Sequence, residues 1–127
     1  MKVVVSATRI RGMRQELEYT QEQFAALIGR SWSTVARWES RGGIKGRVPA
    51  TGKKAESVRM LQNLEEILKK MITEKMSFGR RSLFLVTPHK ALCELSPIAV
   101  ARIAGRDSVG KKAISAVHYL IWANAKS

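Results

Sequence analysis

Apolar residues recur along most of this chain at three- and four-residue intervals, punctuated by small polar residues. Ile10, Met13 and Leu17 follow Ser6 at helical spacing, which predicts a first helix capped by Ser6 and running to about Glu18. Phe24, Ala25 and Ile28 share one face behind Thr20, and Gln23 stands in capping-box position to it. Gly29 follows the last apolar residue, where a positive φ would end the helix. Ser31 then caps a third helix that buries Val35 and Trp38 and turns Trp32, Ser33, Arg37 and Arg41 outward. Ahead of these helices, Lys2 to Val5 is a β-branched run suited to a short strand or an arm.

After Gly42-Gly43, from Ile44 to Gly52, the pattern lapses into glycine and cations, which predicts a loop. A long helix is expected from Lys53 to about Lys75. Within it Leu61, Leu64, Leu68 and Met71 repeat with a seven-residue period, and Val58 and Ile72 widen the stripe. Two heptads are too few for a coiled coil; the stripe either packs on the rest of the chain or helps pair two copies. Ser77-Phe78-Gly79-Arg80-Arg81 is expected to break this helix and mark a boundary.

Beyond the boundary, Thr87-Pro88 predicts a short helix over His89 to Leu95, and Ser96-Pro97 another over Ile98 to Ala104. After Gly105, Asp107 or Ser108 starts a closing helix to about Asn124 that buries Val109, Ala113, Ala116, Val117, Leu120 and Ile121. The expected fold is all-α. Residues 1–52 form a helix-turn-helix bundle, 53–77 a connecting or dimerisation helix, and 78–127 a small helical C-terminal domain.

The stretch Thr20 to Gly42 has the steric requirements of a helix-turn-helix. Ala25 is small where two helices cross, Gly29 makes the turn, and Val35 is β-branched in the second helix. Thr20-Gln21, Ala25, Gly29, Ser31-Trp32-Ser33-Thr34, Trp38-Glu39 and Gly42 together resemble the Xre/Cro-type helix-turn-helix of phage repressors and bacterial regulators. The resemblance spans about Ser6 to Pro49. It implies that Ser31, Trp32, Ser33 and Arg37 contact base edges in the major groove, and that Gln21, Arg30, Thr34, Arg41, Lys45 and Arg47 contact phosphates. Trp32 departs from the family, in which polar residues are commoner at that place. The resemblance also implies an ion pair between Arg14 and Glu39, tying the first helix to the third. The implied function is a sequence-specific regulator of transcription, a repressor, binding double-stranded DNA as a homodimer.

In the C-terminal part the order Phe78-Gly79, Pro88, Ala91-Leu92, Ser96-Pro97-Ile98, Gly105 and Val109 before a closing helix is similar to the toxin-binding domain of Xre/MbcA/ParS-type antitoxins. Cys93-Glu94-Leu95 stands where that domain carries its usual glycine, and its tryptophan-containing segment is missing. This likeness implies a toxin protein as an alternative partner, with DNA binding serving autoregulation.

Charge strengthens the nucleic-acid reading. The net charge of +13 is spread along the chain, with +5 in residues 1–48, +3 in 49–80 and +5 in 81–127. Such a field favours polyanions through phosphate contact and counterion release. Chemistry for catalysis is not apparent. His89 and Cys93 share helical spacing, but no second ligand pair accompanies them for a metal and no orienting group for a thiol nucleophile. Gly105 to Lys112 has the spacing of a phosphate loop, yet Lys112 replaces the required Ser or Thr and no strand precedes it. No enzyme, cofactor or metal is expected. A single cysteine excludes an internal disulfide and suits a reducing cytoplasm. The apolar run at Met1–Val5 is too short for a signal peptide, and no stretch approaches the roughly 18 apolar residues of a membrane span.

Overall fold

Ser6, Thr20, Ser31 and Ser96 each adopt an extended backbone and accept a hydrogen bond from the amide three residues on, and a helix starts after each. The computed structural model describes residues 2–126. Met1 and Ser127, which the expected domain bounds include, lie outside the described residues. The elements, in order, are β1 (Val3–Ser6), α1 (Ala7–Glu16), α2 (Gln21–Ile28), α3 (Trp32–Ser40), β2 (Gly43–Lys45), α4 (Lys53–Thr73), α5 (Phe78–Val86), α6 (Pro97–Ile103) and α7 (Ser108–Lys126). The chain is mostly helical, as expected.

One correction concerns the loop expected from Ile44 to Gly52. Residues 43–45 are strand β2, paired antiparallel with β1 through Val5–Ile44 and Ser6–Gly43. Only one large apolar side chain, Ile44, anchors β2, so no alternation reveals it. Gly42 and Gly43 turn the chain at φ +83° and +104°, and a Cβ on Gly43 would meet the Val5 carbonyl oxygen at 2.1 Å. Glycine is required there.

Helix α1 stops at Glu16, two residues earlier than expected. Leu17 closes it through its amide to Arg14, and Glu18 enters the left-handed region at φ +55°. Helix α4 likewise ends at Thr73. Its inner face carries Val58, Leu61, Leu64, Leu68 and Met71, all buried, with Met60 and Ile67 beside them. Ile72, expected on this stripe, is 42% exposed. The buried apolar side chains form one cluster reaching from Val5 to Ile121.

The long helix does end before Ser77, as expected, but Phe78 to Arg81 already form the first turn of α5. Arg81, Phe84 and Leu85 make its buried stripe, and the arginine disguises it. Arg81 is held by the carbonyls of Met76 (2.9 Å) and Glu16 (2.8 Å) and by the Glu16 carboxylate at 3.0 Å. Its guanidinium also lies over the Phe78 ring.

His89 to Leu95 does not form the expected α-helix. Lys90–Leu92 is a single 3-10 turn, and Cys93 and Glu94 are left-handed at φ +56° and +66°. Leu92 alone is buried in this segment, so there is no apolar stripe for a helix to bury. Val109 is a further correction: it is 74% exposed, while Ile114, Val117 and Ile121 carry the inner face of α7.

Buried Asn63 fastens α6 to α4. Its amide donates to the carbonyls of Ala101 (3.1 Å) and Ala104 (2.9 Å), and its oxygen accepts from Arg106 at 2.9 Å. The last carbonyls of a short helix thus find donors inside the core.

Candidate nucleic-acid interface

Thr20 and Gln23 close a complete capping box: the Gln23 amide donates to Thr20 Oγ1 at 3.1 Å, and the Thr20 amide to Gln23 Oε1 at 2.8 Å. Nine residues after Thr20, Gly29 turns the chain at φ +69°, and Ser31 caps α3. Ala25, Val35 and Trp38 are buried on the packed side of α2 and α3. That burial fixes the rotational phase of α3, and its other side faces solvent. Trp32 is 56% exposed, and Ser33, Arg37 and Arg41 are exposed with it.

Arg14 and Glu39 hold α3 to α1. Arg14 Nε and Nη2 reach the two carboxylate oxygens at 2.9 and 2.8 Å, and Arg14 Nη1 also donates to the Tyr19 carbonyl at 3.1 Å. Arg11 adds a contact at 3.4 Å to the same carboxylate. Burial works against the Glu39 charge, but hydrogen bonds from Arg14 and Gln21 outweigh it, so Glu39 titrates below an ordinary glutamate. The Glu39 charge is turned inward and neutralised, leaving the outer side of α3 without a carboxylate.

The residues expected to meet DNA divide into three groups. Arg30, Ser31, Thr34, Arg37 and Lys45 come together along a groove of about 590 Å³ between α3, β2 and the start of α4. Arg30 is steadied there by the Ser57 hydroxyl at 2.9 Å, and Ser31 Oγ lies 2.8 Å from Thr34 Oγ1. The Ser31 oxygen also accepts from the Thr34 amide at 3.3 Å, so its capping duty competes with any outside contact. Trp32, Ser33, Arg41 and Arg47 are exposed but do not line the groove. Gln21 is half-buried, its side chain donating to Glu39.

Sequence reasoning missed three groove residues: Lys53, Lys54 and Ser57. Lys54 Nζ donates to the Lys45 carbonyl at 2.5 Å, tying the start of α4 to β2. The adjacent lysines after Gly52 were the available signal, but their nearness to α3 depends on the β1–β2 pairing. A further missed residue is Arg102 on α6. Its guanidinium donates to the Leu27 carbonyl and lies against Gly29, buttressing the turn between α2 and α3 from the C-terminal half of the chain.

Among the described residues no group of three His, Cys, Asp or Glu side chains stands where it could hold a metal ion. No helix among them is long and apolar enough to cross a membrane. In comparisons with known proteins, no family model matches the chain and no curated protein matches it.

Proposed function

We propose that this protein is a sequence-specific double-stranded DNA-binding regulator of transcription, a repressor, acting as a dimer on a pseudo-palindromic operator. In this reading α2 and α3 are a helix-turn-helix and α3 enters the major groove. The observation that carries it is the outward face of α3, where Trp32, Ser33 and Arg37 are exposed while the helix's one carboxylate is buried on Arg14. Arg37 would grip a guanine edge through two hydrogen bonds, a contact worth about 1–3 kcal/mol of discrimination. Ser33 offers a hydroxyl contact, and Trp32 an apolar one to a thymine methyl or a sugar. Arg30, Thr34, Arg41, Lys45 and Arg47 would hold phosphates and set the register. Gln21, at the start of α2, would add a phosphate contact. A dimer follows from the geometry of operators, whose half-sites lie about 34 Å apart.

Arg37→Ala tests this reading. It should weaken binding to a selected sequence while leaving non-specific affinity nearly unchanged; an equal loss on every sequence would argue for an architectural role instead.

A second reading, an antitoxin that clasps a toxin protein, draws on one observation. The C-terminal half carries an apolar groove of about 440 Å³ beside Leu92 and Ala113, with Ile103 66% and Val109 74% exposed at its edge. Exposed apolar surface of this kind favours a protein partner. Co-purification of a second small protein with the chain would favour this reading.

A further inference from the structure

We propose that the groove between α3, β2 and the start of α4 is a phosphate-binding cleft that takes a free polyphosphate as well as the DNA backbone, and that the two exclude each other. The exclusion rests on the DNA-binding reading above; the cleft itself does not. Arg30, Arg37, Lys45, Lys53 and Lys54 line the cleft, and among the described residues no carboxylate does. Arg30 pairs with Glu56 at 3.9 Å, and Lys54 is held by the Lys45 carbonyl. Arg37, Lys45 and Lys53, by contrast, make no ion pair among the described residues, so their charges are not spent within the fold.

Four of these cations have no carboxylate partner among the described residues; converging on one concavity they repel one another, and a multiply charged anion relieves that repulsion. Hydroxyls of Thr34 and Ser57 supply neutral donors beside them. The volume of about 590 Å³ lies within the usual range for small-molecule sites and exceeds what a single passing phosphodiester fills. Linked phosphates carry the complementary charge, and the cleft has room for them. Thr34 and Arg37 belong to the cleft and also to the helix proposed to enter the major groove. A ligand seated on them therefore blocks the duplex.

Inorganic pyrophosphate is the probe, titrated into the full-length protein by calorimetry at constant ionic strength, with sodium chloride as control. The wild type is expected to bind pyrophosphate. Lys53→Gln/Lys54→Gln is expected to weaken it at least tenfold, and Lys53→Gln alone to weaken it less, with thermal unfolding confirming that both variants fold. Pyrophosphate should also raise the apparent Kd for a selected duplex more than chloride does at equal ionic strength. A wild type that binds its duplex but shows no heat with pyrophosphate overturns the cleft and leaves the DNA reading standing. Pyrophosphate binding that the double variant retains in full overturns it too. Pyrophosphate binding lost in the variant, by a protein that binds no duplex, upholds the cleft and removes the DNA reading and the exclusion with it.

Discussion

The Arg102 guanidinium, on α6, donates to the Leu27 carbonyl near the end of α2 and covers Gly29 at the turn that follows. A helix end leaves carbonyls without partners, and here a side chain from 75 residues away supplies the donor. The C-terminal half of the chain therefore braces the turn between α2 and α3.

Arg102→Met should cost about 1 kcal/mol of stability, the ordinary worth of such a hydrogen bond. Urea unfolding measures the loss. Hydrogen exchange should quicken selectively at the amides of Gly29 and Arg30, which a general loss of packing would not single out.

The Arg14–Glu39 pair makes a larger claim on stability. Glu39→Gln leaves Arg14 half-buried without its counter-charge and should cost about 3 kcal/mol, the low end for breaking a buried pair. Arg14 keeps some solvent contact, which keeps the cost at that end. Replacing both partners with apolar residues should cost less than either single change, and a double-mutant cycle by denaturant unfolding checks this.

Stability should fall on acidification, in two stages of the same sign. Burial lowers the His118 pKa, so as pH drops below about 6.5 the unfolded chain takes up a proton before the folded one. The carboxylates follow. Glu65 and Glu66 titrate low because Arg9 and Arg106 hydrogen-bond them, and Glu39 does so although burial opposes it. Their contribution is complete above the unfolded carboxylate pKa of about 4.3 and is lost as pH falls through the lower folded values. Unfolding free energy measured from pH 8 to pH 3 should show both stages. Glu39→Gln should flatten the lower one.

Glycine substitutions should split by position. In the middle of α1, a Cβ on Gly12 meets nothing within 4 Å, so Gly12→Ala should stabilise by about 0.5–1 kcal/mol. In the first turn of α7, a Cβ on Gly110 would lie 1.9 Å from the Gly105 carbonyl oxygen, so Gly110→Ala should cost about 3 kcal/mol or more. Thermal unfolding of the two variants gives opposite shifts.

These residues also show where the sequence was legible. The first three helices could be read because Ser6, Thr20, Ser31 and Gly29 mark their ends and the apolar stripes between them are clean. Helix phase alone then foretold that Trp32, Ser33 and Arg37 face outward. Helix α5 was hidden because Arg81 occupies its buried stripe, and its partners, the carbonyls of Met76 and Glu16, are invisible to periodicity. The Thr87-Pro88 signal misled for the opposite reason: a cap without a stripe behind it does not make a helix. The groove needed knowledge that Lys45 and Lys54 come together, and that follows from strand pairing, not from local pattern.

The central claim is that α3 reads bases. Selection of bound duplexes from a random pool, at stated salt, tests it most directly. A pseudo-palindrome with half-sites about one helical turn apart should be enriched, and Arg37→Ala should abolish that enrichment. Recovery of the input pool unchanged, with binding that depends on salt but not on sequence, would contradict it.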